Sequence, residues 1–243
     1  MPTSGTTTFS VSANDIINGA FRLTGAFGAS DVIPAADTAN ALQALNIMVK
    51  SWQTMGYELW TVKELVLPMV ASTTSYQIGP TATGTGALVT DRPLRISQAF
   101  LRNDSQNTDT MLSILSRQEY EQLGAKSTLG VVNSIFYDPQ LNNGVLYVYT
   151  TPSDASRSVH LFVQRPIQDF NATTDLPDFP QEWFQALKWG LASEIGMEYG
   201  VPPEVMNRID ARALAYSKEM SAWSQEEASM YFTMDMRYQG NRS

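Results

Sequence analysis

The amino-acid sequence predicts an α+β fold in which helices from both ends of the chain form one bundle and an antiparallel β-rich domain is inserted between them. Apolar residues follow helical spacing near both ends, whereas short runs in the middle alternate between apolar and polar residues. The chain has 243 residues, of which 43% are hydrophobic, so it can bury a substantial core without a metal or a disulfide. We place the N-terminal helices at 12–58, the β-rich domain at 59–166, the C-terminal helices at 180–231 and a tail at 232–243.

Two helices are predicted before the β-rich domain. Ser12 or Asn14 caps the first helix, which stops near Gly25 and Gly28. Asp37 or Thr38 opens the second helix. The apolar stripe of the second helix follows three-and-four spacing and consists of Leu42, Leu45, Met48, Val49, Trp52 and Met55.

The middle of the chain predicts strands and one short helix. The strands are expected at 60–67, 75–78, 94–101, 111–115, 134–137, 145–149 and 159–163. Ser116 caps a short helix that reaches Leu123, because Glu119 three residues later completes a capping box. The glycine-rich stretch 79–86 lacks the Lys-Ser or Lys-Thr of a phosphate-binding loop, so we expect a long hairpin loop there.

Two further helices follow the β-rich domain. Pro180 opens the first, which ends at Gly200, and Pro202 and Pro203 begin a longer one that runs to about Tyr231. The apolar stripe of the first of these helices carries Phe184, Leu187, Leu191 and Ile195.

The composition argues against several classes of protein. Lys and Arg total 16 against 24 Asp and Glu, a net charge of -8, whereas nucleic-acid binders of this size usually carry a basic surplus. The absence of cysteine excludes disulfide scaffolds, thiolate metal sites and cysteine nucleophiles. The first residues lack the pattern of a signal peptide, and no window reaches the ~18 apolar residues of a membrane span. We therefore expect a soluble protein that stays in the compartment where it is made.

No motif in the sequence singles out a catalytic or metal site. His160 is the only histidine and lies on a predicted strand without a Gly-x-Ser-x-Gly elbow, so we expect it to be structural. Glu194 and Glu198 lie four residues apart, so both are expected on one helix face. Two carboxylates so placed could act as a general acid and a general base. We interpret this pair as a solvated helix face and expect no catalytic residue, metal or cofactor.

The C-terminal segment predicts a docking surface. Methionine and aromatic residues crowd into 230–238, although chain ends are usually polar. The residues we assign to docking are Trp223, Tyr231, Phe232, Met234, Met236, Arg237 and Tyr238. The alternative is that this tail folds back on its own core. For contacts between copies we choose Trp183 and Trp189, which lie off the stripe of the Pro180 helix, and Tyr216 on the long helix.

A series of packing and turn phrases extends from Val11 to Arg212 in a characteristic order. The phrases are Ala41-Leu42-Gln43-Ala44-Leu45-Asn46 followed by Trp52, Gly56 and Tyr57; Ser75-Tyr76-Gln77-Ile78-Gly79; Arg92-Pro93-Leu94-Arg95-Ile96; Ala99-Phe100-Leu101-Arg102; Tyr137-Asp138-Pro139; Leu146-Tyr147-Val148-Tyr149 with Pro152; Leu176-Pro177 before Trp183; Ala186-Leu187-Lys188; and Glu194-Ile195 near Tyr199-Gly200. In this order the chain resembles the head-to-tail adaptor proteins of short-tailed bacteriophages, the group that includes the tail accessory factor of P22-like phages.

The resemblance implies a structural virion protein that forms a ring, usually of twelve subunits, between the portal protein and the tail. Such a ring extends the DNA channel and helps to retain packaged DNA, and the genome passes through its lumen without sequence-specific binding. The C-terminal segment would engage the portal, and the β-rich part would face the next tail component, a nozzle or a tail-spike or fibre protein. The resemblance also implies assembly in the host bacterial cytoplasm, a final place at the head-tail junction, and neither a cofactor, a reaction nor a membrane.

Two alternatives stay open at the level of the sequence. One is a ring of another layer of the neck or tail, such as a stopper or a nozzle. The other is a peptidoglycan-cleaving virion enzyme with Glu194 or Glu198 as its acid.

Overall fold

The computed structural model of the chain describes residues 4–28, 30–55 and 59–223. Within these residues, helices occupy both ends of the sequence and strands occupy the middle, so the predicted α+β class is confirmed. The predicted tail at 232–243, and the continuation of the last helix to Tyr231, lie outside the described residues.

The described part of the chain has five α-helices. They are α1 (Ala13–Thr24), α2 (Ala35–Met55), α3 (Arg117–Gln122), α4 (Phe184–Gly196) and α5 (Pro203–Trp223). Ser12, rather than Asn14, caps α1: its hydroxyl accepts a hydrogen bond from the Asp15 N–H at 3.2 Å, and the Asp15 carboxylate accepts one from the Ser12 N–H at 2.9 Å. Hydrogen bonds from the Ser12 hydroxyl and N–H hold the pKa of Asp15 below its usual value. Gly25 ends α1 with φ +73°, the left-handed conformation that glycine adopts without strain. Ser116 and Glu119 form the predicted capping box of α3.

Two predicted helix boundaries are wrong by a few residues. α2 begins at Ala35, before the predicted Asp37 or Thr38, because the proline that precedes it already holds a backbone angle suited to a helical turn. α4 ends at Gly196 instead of Gly200. Gly200 instead lies in the turn towards α5, with φ +64°.

The strands form two larger sheets and one short parallel pair. They are β1 (Val62–Pro68), β2 (Ser75–Gly79), β3 (Leu88–Val89), β4 (Arg95–Asn103), β5 (Thr108–Met111), β6 (Ser113–Ile114), β7 (Leu129–Gly130), β8 (Ser134–Asp138), β9 (Gly144–Tyr149), β10 (Thr151–Pro152) and β11 (Arg157–Gln164). The first sheet has four strands in the order β1-β11-β4-β5, all antiparallel. The second has five strands in the order β3-β2-β9-β8-β6, and β7 pairs with β10.

The hairpin predicted at the glycine-rich stretch 79–86 is wrong. β3 runs parallel to β2, with Ile78 opposite Leu88. A hairpin would make the two strands antiparallel, so this stretch is instead a longer connection between two parallel strands. β6 and β8 are also parallel. The β-rich region is therefore largely, not wholly, antiparallel.

Within the described residues, the buried apolar side chains form two cores, one among the helices and one between the sheets. Helix α4 contacts α1, α2 and α5, and the helical core includes Ile17, Phe21, Leu45, Leu187, Leu191 and Ile195. The sheet core includes Leu67, Tyr76, Ile78, Ile135, Leu146 and Leu161. α4 and α2 approach closely at Gly190, where an added Cβ would lie 2.9 Å from the sulfur of Met48 and 2.9 Å from the Trp52 ring.

Helix α2 binds the segment that leaves the first sheet. The Asn46 amide donates to the Phe170 C=O and accepts from the Phe170 N–H, both at 2.9 Å. Lys50 Nζ lies 2.6 Å from the Ile167 C=O, and Gln53 Oε1 accepts from the Ile167 N–H at 3.1 Å. Three polar side chains one helical turn apart thus fix the backbone after β11 along α2.

An aromatic cluster and an ion pair complete this junction. Trp52, Trp60, Phe179 and Trp183 pack together with ring centroids 5.0–6.4 Å apart. Beside them, the Arg165 guanidinium bonds the Asp178 carboxylate in two places, with Nη2 2.8 Å from Oδ1. The backbone C=O of Asp178 accepts from the Trp60 indole at 3.2 Å. The junction therefore joins the end of β11, the turn before β1 and the entry to α4.

We predict that Asp178→Asn destabilises the fold by about 1–3 kcal/mol at neutral pH, because the Arg165 guanidinium loses a charged, partly buried partner. Burial raises the pKa of Asp178, but Arg165 and the Gln168 N–H outweigh it and bring the pKa below its usual value. A lowered folded-state pKa means that this stabilisation is present above the unfolded-state value of about 3.9 and is lost as the pH falls through the folded-state value.

Urea unfolding of both proteins from neutral pH downwards measures this effect. The difference in unfolding free energy should shrink as the pH falls. The matched control is Asp169→Asn, which removes the more exposed carboxylate paired with Lys50 and should cost much less. An Asp178→Asn penalty that stays constant with pH would contradict the role of the ion pair.

We predict that Gly190→Val lowers stability by about 1–3 kcal/mol, because the new methyl groups overlap Met48 and Trp52 where α4 meets α2. The melting temperature measures the loss. Gly124→Val is the control, since an added Cβ at Gly124 meets no atom within 4 Å. Equal melting temperatures for the two variants would show that the contact at Gly190 is looser than described.

Candidate assembly surfaces

The surroundings of His160 have the layout of a hydrolase triad without its chemistry. Ser158 Oγ lies 3.3 Å from His160 Nε2, and His160 Nδ1 lies 2.6 Å from Glu64 Oε1. However, Ser158 and His160 are only 4% and 6% exposed, and the Ser158 hydroxyl donates to Asp104 at 2.7 Å. Because a carboxylate already accepts this proton, the imidazole is not positioned to remove it from an accessible nucleophile. No sequence pattern indicates this network, since its members come from β1, β11 and the turn after β4.

The predicted pairing of Glu194 and Glu198 on one helix face is wrong. α4 ends at Gly196, so Glu198 lies in the following turn, where its N–H bonds the Ile195 C=O at 3.1 Å. Both glutamates are exposed to solvent. Their placement supports the interpretation as solvated surface rather than as an acid-base pair in a cleft.

The described residues contain neither a candidate metal cluster nor a helix fit to cross a membrane. Across 4–28, 30–55 and 59–223, no cluster of three or more His, Asp or Glu residues has the placement of a metal site. None of the helices in this part of the chain combines the length and the apolar character that a bilayer crossing needs.

Trp183 lies in the core and not on the surface. Its side chain is 3% exposed and packs against Trp52, Trp60 and Phe179. The expectation that it lies off the buried stripe is wrong because Trp183 belongs to a single 3-10 turn that precedes α4, so α-helical spacing does not apply to it. So little of the Trp183 side chain is exposed that it is not positioned to contact another copy.

Trp189 and Tyr216 meet at a groove between helices. Both are partly exposed, and their ring centroids lie 6.4 Å apart across α4 and α5. The adjoining groove has a volume of about 670 Å³ and is lined by Leu23, Trp189, Val205, Arg208, Ile209, Ala211, Arg212 and Ala215. The arrangement is that of an apolar surface with a basic rim, and it brings together two of the three residues selected for contacts between copies.

Of the residues assigned to docking on another protein, Trp223 belongs to the described part of the chain. Trp223 is the last residue of α5. Tyr231, Phe232, Met234, Met236, Arg237 and Tyr238 lie outside the described residues. Their role stays a prediction.

The outer face of the first sheet is an apolar surface that the sequence analysis missed. Val62 and Val66 on β1 are 44% and 45% exposed, and Met111 on β5 is 69% exposed. Between these edges lie the partly exposed rings of Phe162 on β11 and Phe100 on β4, which stacks on His160 at 4.6 Å. The period-two pattern at 62, 64 and 66 was the available signal, but without the register it does not reveal which strands share the face.

Comparison with known proteins identifies the family of the chain. The family model described as SU10 adaptor protein matches residues 12–237. A search of curated proteins found no match. The family match covers far more than half of the chain and confirms the resemblance to phage adaptor proteins that the order of the sequence phrases indicated. The chain therefore belongs to the SU10 adaptor protein family.

Proposed function

We propose that the chain is one subunit of a closed ring, of twelve copies, that joins the portal to the tail at the head-tail junction of the virion. The observation that carries this proposal is the family match over residues 12–237. In this role the ring extends the DNA channel below the portal and helps to retain packaged DNA. The copies assemble in the host cytoplasm, and the subunit has no catalytic activity and needs no cofactor.

The two separate cores support separate roles for the helical part and the β-rich part of the subunit. The helices at 12–58 and 180–231 act as one bundle that packs side by side with its neighbours, and Trp189 and Tyr216 belong to this contact. The β-rich part at 59–166 faces the next tail component, a nozzle or a tail-spike or fibre protein. The junction at Arg165 and Asp178 holds the two parts in one orientation, which a ring of identical subunits requires.

The charge of the chain agrees with a passage for DNA. A net charge of -8 provides no general attraction for phosphates, so the duplex can slide through the channel at ejection without strong retention by the wall. The genome thus moves through the channel without being bound as a ligand.

The C-terminal segment supplies the contact with the portal in this proposal. It carries the aromatic and methionine residues Tyr231, Phe232, Met234, Met236 and Tyr238 together with Arg237, and Trp223 lies at the end of α5 from which it leaves. Large apolar side chains next to a charged group are the composition of a protein-protein contact.

We predict that the full chain forms a ring on the purified portal and that a chain truncated after Ser229 does not. The expected result follows because the truncation removes every docking residue except Trp223. Native mass measurement of each protein, alone and mixed with portal, gives the number of copies in the complex.

The matched control is a full-length chain in which Tyr231, Phe232, Met234 and Met236 are replaced by serine. It should fail like the truncated chain while keeping the same melting temperature. If the truncated chain joins the portal as well as the full chain does, the ring stands and the tail is not the anchor. If the full chain does not associate with portal, the place next to the portal is wrong.

A further inference from the structure

The first sheet has two open edges within the described residues, and they differ from the edges of the second sheet. β1 and β5 end the four-stranded sheet, and β1 is seven residues long. The five-stranded sheet ends in β3 and β6, which have two residues each. Short edge strands are one protection against pairing with another chain, and β1 lacks it, so its edge is long enough to accept a further strand.

The register shows which backbone groups of β1 face outwards. The Arg165 N–H bonds the Thr61 C=O, and the Met69 N–H bonds the Arg157 C=O, so odd-numbered residues of β1 bond β11. The N–H and C=O groups of Val62, Glu64 and Val66 therefore point away from the sheet. Their side chains are exposed on its outer face.

The opposite edge has the same property. The Leu112 N–H bonds the Ala99 C=O, so Thr110 and Thr108 bond β4, and the N–H and C=O groups of Asp109 and Met111 point outwards. All four residues of β5 are exposed. Asp109 carries its side chain on the outer face, where the Arg102 guanidinium bonds it at 2.8 and 2.7 Å and lowers its pKa.

The two edges are complementary because the sheet has an even number of strands that alternate in direction. β5 runs antiparallel to β1, so β5 of one copy can add to β1 of the next and continue the antiparallel order. On both edges, the residues whose backbone groups point away from the sheet also have their side chains on its outer face. In a hydrogen-bonded antiparallel pair, the two opposed side chains lie on the same face. The outer faces of the two copies would therefore form one continuous surface.

Charge excludes one register, and the apolar surface favours another. Placing Asp109 opposite Glu64 would bring two carboxylates together, which is unfavourable. A shift of two residues places Asp109 opposite Val66 and Met111 opposite Glu64, so that like charges no longer face each other directly. The apolar surface around Val66, 45% exposed in one copy, is then covered by the next copy.

We propose that β5 of one copy pairs with β1 of its neighbour, with Asp109 opposite Val66, so that the four-stranded sheets form a continuous band around the ring. The occupant of the β1 edge is a second copy of this chain. Because the contact joins two different edges, it is a head-to-tail contact and closes only as a ring. This inference rests on the proposed ring.

A cysteine cross-link tests the pairing directly, since the natural chain has no cysteine. The variant carries V66C and D109C in one full-length chain, assembled on portal and then oxidised. Opposed residues of a hydrogen-bonded pair lie about 5.5 Å apart between Cα atoms, within reach of a disulfide. Within one copy the two positions are separated by three strand spacings, roughly 14 Å, so only neighbours can cross-link. We expect a ladder of covalent multimers that a reductant removes.

The matched control is V66C with T110C, which moves the second cysteine to the opposite face of β5 and should give no ladder.

A second pair of variants tests the backbone contact. Val66→Pro removes an outward N–H without breaking the β1-β11 ladder and should weaken ring formation about tenfold or more, whereas Val66→Thr keeps the N–H and should assemble nearly as well as the natural chain.

The outcomes separate this inference from the function on which it rests. If rings form normally but V66C with D109C gives no ladder, the edge pairing is wrong while the ring stands; the β1 edge is then left to a strand of another tail protein. A ladder from the control that equals that of the test pair also overturns the register. If the natural chain forms no ring with portal, the proposed function fails and this inference fails with it.

Discussion

The structure depends on the junction where the segment after β11 is fixed between α2 and the entry to α4. Residues of one helix bond this backbone through Asn46, Lys50 and Gln53, and the Arg165-Asp178 pair closes it from the other side. These bonds are directional, so they set the orientation of the sheets relative to the helices, which the two apolar cores alone would leave less defined. A subunit that repeats around an axis needs such a fixed orientation, because a small error at each contact would prevent the ring from closing.

This constraint also connects the two surfaces that remain open. The groove at Trp189 and Tyr216 belongs to the helical part, and the edges at β1 and β5 belong to the sheet part. Because Trp60 lies in the turn just before β1 and packs on Phe179 and Trp183, the aromatic cluster holds the start of the β1 edge against the helices. Two distant contacts can then be made by the same pair of neighbours, and their binding energies add in one arrangement.

Local features were predictable from the sequence, whereas features that depend on distant strands were not. The capping box at Ser116 is contained within four residues, and the pattern alone identified it, while for the first helix the pattern narrowed the cap to Ser12 or Asn14. The parallel pairing of β3 required knowledge of where the glycine-rich stretch returns to the sheet. Trp183 was misplaced because helical spacing was applied to a residue that lies on a 3-10 turn. Trp189 and Tyr216 were chosen from the sequence, and the structure places them side by side, whereas the outer face of the first sheet was missed. Its strands β1 and β11 lie far apart along the chain and meet only through strand register, which sets Glu64 opposite Phe162.

Electron cryomicroscopy of the neck of the intact phage particle would show where the chain lies. We expect density between portal and tail to form a closed ring, in which each unit is fitted by the helices and sheets of this subunit in their fixed relative orientation. The DNA channel should pass through the centre of this ring. Density for the chain at another site of the particle, or subunits that do not surround the channel, would contradict the proposed role.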